Sequence, residues 1–308
     1  MTLASIIIPS RGGAKRLPRL LSALAAQDDR DWEAIVVIDG DVDGSQQVVE
    51  RYRHLPVRAI VFPENRGRVA ALNAGFDNSE GGVLIRCDDD LAPGTDFVRQ
   101  HKVAHETQPG GAVGLYLNQL PDTPYARAYG IDSDEAFRRS AYTSTQAWRY
   151  WAGNCSTTRD LWQAVGPYDP DYRTYGWEDV DWGYRLHQIG APVRLVRKLE
   201  TPHFVAAVTT QSRVQRAFHS GAARRLFETK HGTDVLSHAL PSGEGVWNRA
   251  VRAVGRAPSR TFFDAASAAV DVGARLLPRA LSRKAIALLV EGGSVAGYRH
   301  PDDVTTEL

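Results

Sequence analysis

At 308 residues the chain is long enough for one large α/β domain with an appendage or for two small domains, and its 43% hydrophobic fraction excludes a disordered or fibrous chain. A formal net charge of +1 gives no global attraction to nucleic acid, and the basic excess is local, in the stretch from Arg249 to Lys284. The two cysteines, Cys87 and Cys155, lie outside any CxxC or metal-ligand spacing, which argues against a disulfide framework or a structural zinc site and fits a reducing cytoplasm.

The apolar run from Thr2 to Pro9 is too short for a signal peptide and lacks a basic leader. Nowhere do the ~18 consecutive apolar residues of a membrane span occur. The expectation is a soluble, cytoplasmic protein, at most peripheral to the inner face of a membrane.

Ser5 to Pro9 reads as a buried strand and Leu17 to Ala26 as a helix, from the spacing of Leu17, Leu20, Leu21 and Leu24. Glu33 to Ile38 is a second strand, ending at Asp39-Gly40-Asp41. A helix follows from about Gly44 to Tyr52, then a strand over Val57 to Phe62, a helix over Arg68 to Phe76 and a fourth strand over Gly82 to Cys87. Strand alternating with helix predicts a mostly parallel sheet flanked by helices, with ligands at the carboxyl ends of the strands. Ser10, Asp39, Asn65-Arg66-Gly67 and Asp88-Asp89-Asp90 all fall there. Gly111 to Leu117 reads as one strand, and Pro121 to Ser144 as a loop-rich segment suited to acceptor binding. Gln211 to Thr229 reads as a helix, Gly232 to Gly245 as a connection, and Trp247 to Val290 as basic, Ala/Leu-rich helices interrupted at Pro258 and Pro278.

Two motifs carry chemistry. Asp88-Asp89-Asp90 follows a buried strand directly, and carboxylates so crowded repel unless a cation joins them. Mg²⁺ or Mn²⁺ held by one or two carboxylates plus substrate phosphates suits the arrangement; a solvated acidic turn is the alternative. In Tyr175-Gly176-Trp177-Glu178-Asp179-Val180-Asp181 the acidic residues open an amphipathic helix that places Val180 and Leu186 inward. A carboxylate there is a candidate general base beside an aromatic face for a sugar ring, or simply a helix cap.

Ile6-Ile7-Ile8-Pro9-Ser10, Val36-Val37-Ile38-Asp39-Gly40, the run from Asn65 to Gly75, Asp88-Asp89-Asp90 and Trp177-Glu178-Asp179 together resemble glycosyltransferase family 2 over about the first two thirds of the chain. The resemblance implies a GT-A fold, a nucleotide-sugar donor, Mn²⁺ or Mg²⁺, and inversion at the anomeric carbon. It implies a transferase domain over 1–230, with a nucleotide-binding half over 1–115 and an acceptor half over 116–230, and leaves 231–308 as a helical extension.

Carried across residue by residue, the resemblance places Pro9, Ser10 and Arg11 beside the nucleotide. It sets Asp39 on the base, where it favours UDP, Arg68 at the diphosphate and Asn73 on the nucleoside side. Asp88 is expected at the ribose or metal, Asp89 at the donor sugar and Asp90 on the metal. Asp179 aligns with the catalytic base and Glu178 with a residue that holds the acceptor or orients the base; Asp181 has no firm role. Gly153 and Asn154 are candidate sugar contacts. His203 either completes the metal shell or is a hydrogen-bonded core histidine, and Trp148 and Trp151 either stack on a glycan acceptor or belong to the core.

The expected reaction is a single displacement from a UDP-sugar onto a glycan or lipid-linked hydroxyl, in polysaccharide or cell-surface glycan synthesis. A sugar nucleotidyltransferase is disfavoured because Ser10-Arg11-Gly12-Gly13 is not followed by the longer glycine-rich, lysine-bearing phosphate loop. An inactive glycan-binding relative is disfavoured by the intact acidic motifs. For the C-terminal third a structural cap is favoured, with peripheral membrane contact or a homodimer interface as alternatives.

Overall fold

In the first strand, β1 (Ala4–Ser10), Ile6 and Ile8 point to one face and Ile7 to the other, all fully buried, as the two-residue period of a strand dictates. The neighbouring strands repeat the pattern, so the sheet is apolar on both sides and takes helices on both. This is a computed structural model, and it describes residues 2–173, 176–204, 207–257 and 260–303. The chain divides into two compact units: Met1–Gln119 with Arg138–Arg173 and Glu178–Phe204, and Leu120–Phe137 with Thr174–Trp177 and Val205–Leu308.

In the first unit, β2 (Trp32–Asp39), β3 (Val57–Phe62) and β4 (Val83–Cys87) join β1 in parallel, with α1 (Leu17–Ala25), α2 (Ser45–Glu50) and α3 (Arg68–Asp77) between them. Leu17, Leu20, Leu21 and Leu24 of α1 pack on Ile6, Ile8, Val36 and Ile38, while α3 sets Ala71 against Ile35 and Val37 on the opposite face. Each such fully buried aliphatic side chain contributes roughly 1.5–3 kcal/mol relative to an exposed one. The α3 face comes closest to the sheet at Gly75, where a Cβ would meet Ile7 Cγ2 at 2.5 Å.

After α4 (Phe97–Glu106) come β5 (Gly111–Val113) and β6 (Tyr116–Asn118), then α5 (Ile131–Thr143), β7 (Asn154–Thr158), α6 (Arg159–Val165), α7 (Glu178–Gln188), β8 (Val193–Leu195) and β9 (Thr201–His203). The main sheet has the order β3-β2-β1-β4-β7-β5-β8. β7 runs antiparallel to both β4 and β5, so the sheet is mixed, and β6 pairs in parallel with β9 in a separate two-stranded sheet.

Three local expectations give way. Gly111 to Leu117 is two strands in two sheets, because the chain turns off at Gly114, where a Cβ would stand 2.1 Å from the Leu199 carbonyl oxygen. The segment expected as loop between Pro121 and Ser144 contains a π-helical turn, Ala126–Gly130, and α5. Ala141 is the one buried residue of α5, so the apolar periodicity that signals a helix is missing from its sequence. In α7 it is Trp182, with Leu186, that is fully buried, while Val180 is half-buried.

The second unit is helical: α8 (Thr210–His231), α9 (Val246–Val254), α10 (Arg260–Gly273) and α11 (Arg279–Arg299). Thr209 and Ser212 form a reciprocal capping box at the start of α8. Glycines let α8 and α11 cross closely: a Cβ at Gly221 would lie 2.0 Å from the Ser294 carbonyl oxygen, and one at Gly297 1.9 Å from that of Phe218. Val214, Phe218, Phe263, Ile286, Leu289 and Val290 fill the core. Residues of α8, expected inside a first domain ending at 230, thus pack within the helical unit. Pro278 stands at the N-cap of α11 as its missing N–H allows, whereas Pro258 and Tyr175 lie outside the described residues. No helix among the described residues is long and apolar enough to cross a membrane.

Candidate active site

The parallel strands of the first unit deliver polar residues to one edge, and β4 ends there in Asp88-Asp89-Asp90. β7 lies beside β4 with Asn154 opposite Cys87, so the Asp88 amide donates to the Gly153 carbonyl at 2.8 Å. A Cβ on Gly153 would fall 2.1 Å from the Asp88 carboxyl group. Gly153, expected as a sugar contact, therefore makes the space that Asp88 occupies.

Arg86, a residue the sequence reading passed over, is 1% exposed inside β4. Its Nε donates to Asp88 Oδ1 at 3.1 Å, and its Nη1 forms an ion pair with Asp179 on the first turn of α7. Burial of Asp88 favours its neutral form, but the charges of Arg86 and then Arg68 outweigh this and hold its pKa below the usual carboxylate range. Tyr116 of β6 donates to Asp88 Oδ2 at 3.4 Å. Both oxygens of Asp88, expected at ribose or metal, thus face partners of the chain itself.

Arg68, the first residue of α3, reaches Glu178 Oε1 at 3.5 Å and is about half exposed. Glu178 is 2% exposed, and its Oε2 is buried without a hydrogen-bond partner among the described residues. Arg68, Glu178, Asp179, Arg86 and Asp88 accordingly form one chain of charges linking the two acidic motifs.

Asp89 faces the β1–α1 loop. Ser10 donates to its Oδ2 at 2.6 Å, and Arg16 forms a two-pronged pair with it through Nε at 2.8 Å and Nη2 at 2.9 Å. That use of both oxygens differs from the expected donor-sugar contact, and Arg16 was not foreseen. Arg11 donates to the Asp39 backbone oxygen at 2.7 Å, and Pro9 sits half-buried in β1 opposite Val37 of β2. The Asp39 carboxylate accepts from the amides of Arg66 at 2.6 Å and Gly67 at 2.9 Å, fixing the β3–α3 loop; Gly67 has a φ of 90°, a conformation that favours glycine.

Other residues expected to contact ligand bond within the chain itself. The Asn73 amide bonds the Tyr168 backbone in both directions, at 2.9 and 2.8 Å. Asn154 is fully buried and donates to the Leu199 carbonyl at 2.6 Å. Trp148 and Trp151 are core residues, 4% and 3% exposed, with Trp151 stacked on Trp182 at 4.7 Å. Asp181 is buried between Arg185 and Tyr172. Trp177 belongs to the helical unit, donating to Ser220 at 2.9 Å and packing on Phe227, and it holds a φ of 70°.

The fit of a divalent cation turns on Asp90 and His203. His203 stacks on Tyr116 at 4.5 Å between ring centroids, and its Nδ1 lies 2.6 Å from Asn118 Oδ1, an acceptor in the orientation assigned to the amide. The ring proton is then on Nδ1, which leaves the Nε2 lone pair facing Asp90 Oδ2 at 3.1 Å. Two acceptors so placed need a proton or a metal ion between them, and Asp90 Oδ1 is buried with no hydrogen-bond partner among the described residues. No group of three or more His, Cys, Asp or Glu that could hold a metal occurs among the described residues. The pair therefore fits an ion that completes its shell with phosphate oxygens and water rather than one caged by protein.

An open α/β sheet with acidic residues and arginines gathered at its strand ends presents a charged edge of the kind at which such sheets bind ligands, and comparison with known proteins narrows its class. The model of glycosyl transferase family 2 matches residues 5–159, and the chain belongs to that family. An uncharacterised glycosyltransferase of Bacillus subtilis, YfnE, is 26% identical over 251 residues, covering 65% of this chain and 64% of the relative. Validoxylamine A glucosyltransferase of Streptomyces hygroscopicus subsp. jinggangensis is 29% identical over 237 residues, covering 65% of this chain and 56% of its own length. The chain thus spans less than two thirds of these relatives. Among solved structures, the mannosyltransferase PcManGT of Pyrobaculum calidifontis in complex with GDP-Man and Mn²⁺ superimposes with a TM-score of 0.65 at 16% identity, over 94% of this chain and 86% of that one. At that identity the likeness establishes the shared fold.

Proposed function

We propose that the chain transfers a sugar from a nucleoside-diphosphate donor to a hydroxyl acceptor, with inversion at the anomeric carbon. The observation that carries the reading is the chain of charges from Arg68 through Glu178 to Asp179, Arg86 and Asp88, which brings both acidic motifs of the family to one edge of the sheet. Asp179 takes the proton of the acceptor hydroxyl as its oxygen bonds to the anomeric carbon, and the bond from that carbon to the diphosphate oxygen breaks. Arg68 meets the charge that gathers on the departing diphosphate. Glu178 positions Arg68 and the acceptor.

Asp90 and His203 would hold Mn²⁺ or Mg²⁺, which when bound supplies a Lewis acid for the diphosphate. The base is read by Asp39. With its oxygens anchored by two loop amides, its remaining lone pairs suit the imide N–H of uracil, so a UDP-sugar is the favoured donor. A guanine N–H meets the same requirement, which the GDP-Man complex of the structural neighbour makes the second reading. The acceptor in this reading is a glycan or lipid-linked hydroxyl, in polysaccharide or cell-surface glycan synthesis.

Thermal shift with UDP-, GDP- and dTDP-sugars, with and without Mn²⁺, tests the reading, because a donor that binds the folded state raises its melting temperature. Stabilisation by one nucleotide class, dependent on metal and lost in His203→Ala, is expected. An unchanged melting temperature with every donor and metal would remove it.

A further inference from the structure

The turn joining α10 to α11 exposes a set of apolar side chains: Val272 is 62% exposed, Leu276 86%, Leu277 49% and Leu281 54%. They continue a stripe along α10, where Phe262, Ala265, Ala269 and Val272 are exposed and recur at the three-to-four-residue spacing of one helix face. The opposite face, with Phe263 and Ser267, is buried in the helical core. A helix apolar on its solvent side as well as its core side, running into an exposed leucine cluster, marks an interaction surface rather than ordinary surface.

The charge around the leucines says what it meets. Arg275, Arg279, Arg283 and Lys284 bracket Leu276, Leu277 and Leu281, and no acidic residue occurs from Val272 to Val290. Asp132 pairs with Arg279 at 2.7 Å and Arg283 at 3.4 Å. Arg275 and Lys284 have no carboxylate partner among the described residues. The apex is therefore strongly cationic around an apolar tip. Two copies meeting face to face through it would set like charges against each other, whereas a lipid surface with anionic headgroups accepts both the leucines and the cations.

We propose that the α10–α11 apex docks on an anionic lipid bilayer, its leucines entering the headgroup boundary and its arginines and Lys284 resting on the phosphates. This inference stands on the helical unit alone and does not depend on the catalytic reading.

Co-sedimentation of the full chain with vesicles of phosphatidylglycerol mixed into phosphatidylcholine, against pure phosphatidylcholine, tests it. The wild-type protein is expected to partition onto the anionic vesicles, less so in high salt. The exposed-site double variant Leu276→Ser/Leu277→Ser should bind roughly tenfold more weakly, and Arg275→Gln/Lys284→Gln about fivefold more weakly for each cation removed. Unchanged melting temperatures of both variants would show that the loss is not one of folding. Equal partition of all three proteins, or none onto anionic vesicles, would overturn the proposal. A concentration-dependent dimer in sedimentation velocity, lost in the leucine variant, would also overturn it by assigning the surface to a second copy of the chain.

Discussion

The guanidinium of Arg86 forms an ion pair with the carboxylate of Asp179, joining the middle of β4 to the first turn of α7. The same side chain holds Asp88 through Nε, so one buried cation fixes the direction of two acidic groups that are far apart in sequence.

Replacing Arg86 by Met should leave both carboxylates without their counter-charge. Breaking a buried pair from one side typically costs about 3–5 kcal/mol, and partial solvent access to Asp88 and Asp179 places the expected loss toward the lower end. Arg86→Lys keeps the charge but not the fork, so its stability should fall between the two. Urea unfolding measures this, and an Arg86→Met protein within about 0.5 kcal/mol of wild type would show that the pair does not hold the motifs together.

Asp179→Asn keeps the shape of the proposed base but cannot accept the proton. Turnover should fall by roughly 10²–10⁴ while donor affinity stays near wild type. Steady-state release of nucleoside diphosphate, beside equilibrium donor binding, separates the two quantities. A parallel loss of both would recast Asp179 as a binding residue.

Gly153→Ala would push a methyl group into the Asp88 carboxyl group. Overpacking costs typically 1–3 kcal/mol, and a displaced Asp88 should in addition slow turnover on the order of 10²-fold, which is about 2.7 kcal/mol of barrier. A lowered stability together with a lowered turnover of the protein that remains folded is the expected signature, read from unfolding and rate measurements on the same protein.

How much of this was legible in the sequence depended on how local each role is. The strand–helix alternation and the acidic strand end follow from short-range periodicity, and the first four strands fall where the apolar runs put them. Arg86 was missed because its partner lies 93 residues away, although an arginine within the otherwise apolar run from Val83 to Cys87 implies a buried counter-charge. Asn73 and Asn154 carry the opposite lesson. A buried amide beside a binding motif looks like a ligand contact, but here the backbone of a distant segment satisfies it. The transferase domain is expected to run to residue 230, whereas α8 packs with the helical unit, because helical periodicity says where a helix is and not which core it joins.

Acid should destabilise the first unit through a polar cluster outside the candidate site. Ser156 Oγ lies 2.8 Å from both His101 Nδ1 and His105 Nε2, and burial lowers the two pKa values to about 3 and about 4. Both imidazoles are then neutral in the folded protein, while in the unfolded chain they titrate near the ordinary value of about 6.5. Below that pH the unfolded state binds more protons, so stability is full above about 6.5 and falls as the pH drops towards the folded-state values, by at most about 1.4 kcal/mol per pH unit for each group. Urea midpoints across that range should shift downward, and His105→Gln should reduce the slope. An equal slope in the variant would exclude His105 as a contributor.

The most direct test of the central claim is nucleoside-diphosphate release from a panel of UDP-, GDP- and dTDP-sugars, with Mn²⁺ or Mg²⁺ present and then chelated, by wild-type protein and Asp90→Ala. The account predicts release from one nucleotide class, dependent on the metal and lost in Asp90→Ala under limiting metal. Release that ignores both chelation and the Asp90 substitution, or no release from any donor, would contradict it.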